Sequence, residues 1–308
     1  MNKIYYLVLL IFISVSTFSC GRFGNKEKEQ TENKTTDSTN VEGNKNQERI
    51  VSLSKQYNEI IYALNAEKNI VAVDLSSTYP PEIKNIQTVG YHRALSAEAI
   101  LSMKPTLILE DNNIGPEHVV TQLKDLQIPM KQFGKYEHTI AGTDSLIREM
   151  GIYFNASQKA EELCKKLDED MEKAKQEIAN YKTIPKVLVI HFGRASNVYL
   201  VMTKKSTAAK MIEWAGGKMA VEDEKGMKQF SPEVVAQADP DIILLTDFGY
   251  DRLGSTQKIS ELAGISTTKA FKNNQIYRVE EHDMVYLGPR TGENILLLQK
   301  LIHQDAKK

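Results

Sequence analysis

The chain has 308 residues, 41% hydrophobic and 26% charged, an ordinary soluble composition with enough length for two α/β units. Its formal net charge is -1 and it lacks a basic stretch interleaved with aromatics, which argues against nucleic acid as a partner. Its two cysteines, Cys20 and Cys164, fit neither a disulfide framework nor a CxxC redox motif.

The first predicted element is an export signal over residues 1–19. Lys3 precedes an apolar run from Tyr5 to Val15, too short to span a bilayer comfortably, and small and polar residues follow up to Ser19. Cys20 directly after a small residue resembles the bacterial lipobox, which implies lipidation at Cys20; a plain signal with an incidental cysteine is the alternative. Residues 20–48 are rich in Asn, Thr, Lys and Glu, too polar to offset ordering entropy, and are expected to be a disordered tether.

Strands and helices then alternate. "RIVSLS" (Arg49 to Ser54), "IVAVD" (Ile70 to Asp74) and "TLILED" (Thr106 to Asp111) read as buried strands, with "NEIIYALNA" and "PEHVVTQLKDLQI" as helices and "PMKQF" as a further strand. Such alternation predicts an α/β lobe over 49–143 with a parallel sheet covered on both faces. Residues 144–183 are expected to form a linking helix, with an uninterrupted helical pattern from Ser157 to Tyr181 and Pro185 beyond its end. A second α/β lobe over 184–308 follows, with "KVLVIHF", "DIILLTD" and "QIYRV" as strands and a closing helix from Thr291 to about His303. Two Rossmann-like lobes joined by one long helix place a cleft beyond the carboxyl ends of facing strands.

The lobes also echo each other. "LSAEAILSMKPTLILED" from Leu95 and "FSPEVVAQADPDIILLTD" from Phe230 both read as a serine cap, a helix, a proline loop and a buried strand. Glu98 and Glu233 fall at equivalent places, each also explicable as a carboxylate favoured at a helix start.

Nucleotide and hydrolase motifs are lacking: there is no GxGxxG after a strand, no GxxxxGK[ST] and no GxSxG, and the six histidines show no zinc spacing. Tyr91 and Arg93 stand two apart before a helix start. A phenolate beside a guanidinium suits a ferric centre, and tyrosine is a known axial ligand of haem iron; a rim-packed tyrosine with a solvated arginine has the same spacing.

"STYPPEIKNIQTVGYHRALSAEAILSMKPTLILED" (Ser77 to Asp111), together with "YLGPRTGE" (Tyr286 to Glu293), resembles the substrate-binding lipoproteins of bacterial haem ABC importers, in the class III periplasmic binding protein group. The resemblance spans nearly all of the chain after residue 48, and GYxR and GPRT are its more haem-specific parts. It implies Tyr91 as the iron ligand, Arg93 and Arg290 as haem-contacting or phenolate-stabilising groups, and Glu98 and Glu233 as the carboxylates that dock on the permease. His191, at a strand's carboxyl end, is the candidate second-lobe ligand, or else a hydrogen-bonded wall residue; Tyr250 and Tyr286 are weaker candidates. Haem would be cargo and not a catalytic cofactor, the protein an exported, lipid-anchored monomer and not an enzyme. Cobalamin or an iron-siderophore on the same fold is the alternative, and a metal-handling enzyme on a nitrogenase-like bilobal fold a remoter one, for which His191 and Asp247 are the available pieces. The chain departs from the family pattern at Ala99, where glycine is usual, in "MTKKSTAA", which puts Lys204 and Lys205 where a glycine-rich loop is usual, and in placing His92 inside GYxR.

Overall fold

The structure, a computed structural model, describes residues 48–304. The export signal, Cys20 and the tether lie outside the described residues, Glu48 excepted. Among the described residues no helix is long and apolar enough to cross a membrane.

In the first lobe, β1 (Ile50–Ser52), β2 (Ile70–Val73), β3 (Gln87–Thr88), β4 (Leu107–Leu109) and β5 (Met130–Lys131) form one sheet in the order β3-β2-β1-β4-β5. All of its pairings are parallel. The two central strands are buried at every position, as a sheet covered on both faces requires. Alternate residues serve opposite faces. Ile50, Leu107 and Leu109 pack with α1 (Lys55–Ala63), while Val51 and Ile108 pack with α2 (Ala97–Ser102) and α3 (Glu117–Asp125).

The segment expected as a single linking helix is two helices, α4 (Ile140–Tyr153) and α5 (Ser157–Ile178). Asn155 adopts φ 56 in the break between them, a left-handed conformation that asparagine tolerates. Leu146, Ile147 and Met150 of α4 lie in the first lobe's core, so the boundary expected between residues 143 and 144 falls inside a helix of that lobe. The 22 residues of α5 do span both lobes: Ala160, Cys164 and Leu167 are buried in the first core and Ala174 in the second. Burial pushes the Cys164 thiol up to about 12, so it packs as a small hydrophobe.

The second lobe contains β6 (Lys186–Gly193), β7 (Val198–Met202), α6 (Thr207–Trp214), β8 (Lys218–Met219), β9 (Met227–Gln229), α7 (Pro232–Ala238) and β10 (Ile242–Thr246). It continues through α8 (Asp247–Leu253), α9 (Thr256–Ile259), α10 (Lys269–Lys272), β11 (Ile276–Val279), α11 (Glu281–Val285) and α12 (Thr291–Ile302). Its sheet runs β11-β10-β6-β7-β9, with β8 also paired to β6. Here the expectation of a wholly parallel sheet needs correction: β7 is antiparallel to β6, and β9 to β7. The reason is the short turn after Gly193, where Ser196 and Asn197 both donate to the Gly193 carbonyl at 3.1 and 2.7 Å. A parallel return needs a long crossover, and this turn leaves room only for a hairpin. α12 seats tightly on α5, where a Cβ on Gly292 would lie 2.7 Å from the Asp170 Cβ, so glycine is required.

The repeated helix starts take the same form. Ser96 accepts from the Ala99 N–H at 3.4 Å, and Ser231 from the Val234 N–H at 3.3 Å.

Candidate functional site

The carboxyl ends of β1 to β4 and of β6, β10 and β11 meet between the lobes, where a series of buried polar contacts joins them. α1 supplies three of these from one end. Lys55 pairs with Glu281 at 3.2 Å, the Gln56 amide donates to the Leu287 carbonyl at 2.7 Å, and Glu59 meets His282 and Arg290, the latter at 3.1 Å. A Cβ on Gly288 would lie 3.1 Å from the Glu59 carboxyl carbon, so glycine lets the second lobe approach that closely.

Aromatic faces surround these charges. Lys55 Nζ lies 5.7 Å from the Phe248 ring centroid and 5.2 Å from that of Tyr286. Tyr79 stacks on His282, and Arg290 sits 3.4 Å above the Tyr79 ring.

Tyr91 follows β3 and is half-buried. Burial raises its phenol above the usual range and Glu281 adds to the rise, while Arg93 and Arg194 pull the other way. The phenol is therefore protonated at neutral pH until a cation takes the proton's place. His92 turns inward, with Nδ1 2.9 Å from Ser76 Oγ and 3.2 Å from Asp74. Burial alone would raise the Asp74 carboxyl, but hydrogen bonds to His92, Ser76 and Ser77 bring it below its ordinary value. This network fixes the backbone that presents Tyr91.

The expected site residues separate into groups. Arg93 is exposed and donates to the Asn113 side chain at 2.6 Å, at the rim beside Tyr91. His191 lies at the cleft end of β6 and is 9% exposed; its Nδ1 is buried, has no hydrogen-bond partner and lies 4.0 Å from Glu281. Burial lowers its pKa against the pull of Glu281, and the charges of Lys55 and Arg93 add to the fall, so it stays neutral and able to donate a lone pair.

Arg290 is held within the protein at the lobe boundary. Each of its three nitrogens donates within the protein, to Glu59, Asn294 and Asp283. It joins the lobes through Glu59, with three of its five N–H donors engaged within the protein. Tyr250 contacts Thr256 at 3.3 Å, and Tyr286 is a half-buried wall residue stacked on His282, its phenol strongly raised by burial. Asp247 accepts from the Glu281 N–H at 2.9 Å and its carboxyl is raised by burial. Lys204 and Lys205 pair with Glu222 and Glu224 in the second lobe. Glu98 and Glu233 are exposed in the first turns of α2 and α7. No group of three or more His, Cys, Asp or Glu is arranged to hold a metal ion among the described residues.

Sequence reasoning missed Lys55, Glu59, Arg194, Phe248, Glu281 and His282. Arg194, on the turn between β6 and β7, places its guanidinium carbon 5.3 Å from the Tyr91 ring centroid and 4.4 Å from that of Phe248. The only available signal was position: Lys55, Arg194, Phe248 and Glu281 each come within three residues of a strand end. A neutral tyrosine from one lobe thus faces an arginine of the other that also lies over Phe248, an arrangement suited to a flat, anionic, metal-bearing ligand.

The family model described as "Periplasmic binding protein" matches residues 50–282. The chain is 26% identical to an uncharacterized ABC transporter substrate-binding lipoprotein, YvrC of Bacillus subtilis, over 97% of this chain and 96% of that protein. It is 29% identical to the high-affinity heme uptake system protein IsdE of Staphylococcus aureus, over 66% of this chain and 70% of that one. The vitamin B12-binding protein of Pectobacterium atrosepticum is 24% identical over 68% of this chain and 75% of its own length. Among solved structures, the periplasmic heme-binding protein RhuT from Roseiflexus sp. RS-1, in apo form, superposes with a TM-score of 0.75 at 31% identity, covering 84% of this chain and 99% of that one.

Proposed function

Because this chain belongs to the periplasmic binding protein family, we propose that it captures haem between its lobes and hands it to the permease of an ABC importer. The observation that carries the reading is Tyr91, a phenol from the first lobe facing Arg194 of the second, which also lies over Phe248, in a chain similar to proteins named for heme binding. Tyr91 is the axial oxygen for ferric iron, and Arg93 at the rim lowers the cost of its phenolate. His191, neutral and with an unpartnered ring nitrogen, is the second-lobe group nearest in chemistry to a further ligand. The role is binding and release, with haem as cargo and no catalysis.

Cys20 would carry the lipid that holds an exported monomer at a membrane, as the lipoprotein name of the Bacillus subtilis relative supports. Glu98 and Glu233, exposed at equivalent helix starts in the two lobes, would orient the protein on the permease.

Cobalamin is the second reading, favoured by the vitamin B12-binding relative. It gives no task to a phenol positioned for an iron centre. The deciding experiment is an absorption titration with ferric haem and, separately, with cobalamin. Saturable haem binding with a phenolate-to-iron band supports the haem reading; cobalamin binding without a haem response replaces it.

A further inference from the structure

Arg194 is the one cation that reaches Tyr91 from the opposite lobe in these contacts, over the ring face at 5.3 Å while also lying 4.4 Å from the Phe248 centroid. Its Nη1 is buried and has no hydrogen-bond partner. A guanidinium carries five donors in a planar fork, so a buried nitrogen without an acceptor marks an interaction that the protein itself does not complete. The backbone beneath it is fixed by the paired hydrogen bonds to the Gly193 carbonyl, and Asn197 takes φ 56 to close the turn. Only the half-buried side chain is left to move, by exchange of its rotamers.

Any ligand that inserts between Tyr91 and the second lobe must part Arg194 from the tyrosine ring. We propose that Arg194 is a displaceable cover: it shields Tyr91 until a planar ligand enters, then turns to bind a carboxylate at the ligand's edge. Displacement gives the unpaired Nη1 the acceptor it lacks, and the Phe248 face it leaves becomes available to the ring. The same residue therefore slows entry and slows departure. This inference rests on the haem reading for the ligand's identity, but the covering of Tyr91 does not depend on it.

Three measurements test it. In ligand-free protein, compared at equal Tyr91 phenolate fraction because Arg194 also lowers the phenol's pKa, nitration of Tyr91 by tetranitromethane, followed by peptide mass spectrometry, should run several-fold faster in Arg194→Ala than in wild type. An unchanged rate overturns the cover, whatever the ligand. With ferric haem in stopped flow, Arg194→Ala should associate faster and dissociate about tenfold faster, the loss of one charge-assisted hydrogen bond. With haem dimethyl ester, which has no free carboxylates, the variant should still associate faster but dissociate at the wild-type rate. Equal acceleration of dissociation for both ligands overturns the carboxylate anchor. Arg194→Gln keeps a planar group over the rings without the charge; it should retain slow nitration and lose the anchor, which separates the two roles and guards against a folding defect. Failure of wild type to bind haem removes the haem reading and the anchor together, and leaves the nitration result to decide the cover.

Discussion

Lys55 of the first lobe and Glu281 of the second form an ion pair at 3.2 Å with side-chain exposures of only 3% and 14%. A charge left alone at such a place is costly, whereas an apolar pair of similar volume is tolerated. Lys55→Met should therefore destabilise the protein by about 3 kcal/mol, and Lys55→Met with Glu281→Leu should recover most of that loss. Urea unfolding of the single and double variants provides the check. A double variant as weak as the single one would mean that Lys55 acts through its packing on Phe248 and Tyr286 instead.

Acid sensitivity follows from Glu59. Burial pushes its carboxyl up, but the His282 hydrogen bond and the charges of His282 and Arg290 outweigh this and hold it below the ordinary range. A depressed folded pKa contributes stability above the unfolded value of about 4.3, and that contribution disappears as pH falls through the folded value. Asp74 and Glu281 are lowered too and act in the same direction, whereas Asp111 and Asp247 are raised by burial and oppose it. Wild type should lose denaturation midpoint on acidification below about pH 4.3, and Glu59→Gln should flatten that part of the curve. Identical slopes for the two proteins would place the acid sensitivity elsewhere.

The ligand prediction turns on a proton. The Tyr91 phenol, raised by burial and by Glu281, must ionise to coordinate iron. Ferric haem binding should release close to one proton near neutral pH, and affinity should rise with pH until the phenol ionises by itself. Tyr91→Phe keeps the ring and removes the oxygen, so it should abolish both the phenolate band and the proton release while leaving thermal stability near wild type. Arg93→Ala, at the exposed rim, should weaken binding less. Calorimetry in two buffers of different ionisation enthalpy counts the protons, and unchanged release by Tyr91→Phe would reject Tyr91 as the ligand.

The strands, the serine caps and the two-lobed plan were legible because each depends on residues close in sequence. Short apolar runs, Ile50-Val51 and Leu107 to Leu109, mark the central strands, and Ser96 and Ser231 announce their helices through contacts three residues away. The contacts that close the cleft are not local. Lys55 and Glu281 are 226 positions apart, and Arg290 lies 231 from Glu59, so a motif can point to Arg290 without disclosing that it reaches across to Glu59. Arg194 was hidden for a related reason: its segment reads as a loop, and only the facing lobe supplies the ring it covers. The antiparallel β7 was missed because turn length decides strand direction, and the turn after Gly193 carries no strong dipeptide signal.

The docking prediction rests on Glu98 and Glu233, exposed carboxylates in the first turns of α2 and α7, each following a serine cap. The two helix starts share one local geometry, with the serine accepting from the N–H three residues on, so the two carboxylates leave their lobes in equivalent settings. Exposed charges contribute most at an interface by setting orientation and encounter rate. Glu98→Ala with Glu233→Ala should leave haem affinity at the wild-type level, because neither group takes part in the contacts that join the lobes. Haem transport through the reconstituted permease should fall sharply, and its remaining rate should lose salt dependence, since screening then has fewer charge pairs to act on. Each single change should cost less than the pair, as one lobe can still dock. Reversal to lysine at both positions should be worse than alanine, because like charges then meet a basic pocket. Transport into vesicles, measured beside a haem titration of the same variants, separates the cases: full transport by the double alanine variant removes the docking role, and lost haem binding would assign these glutamates to the fold.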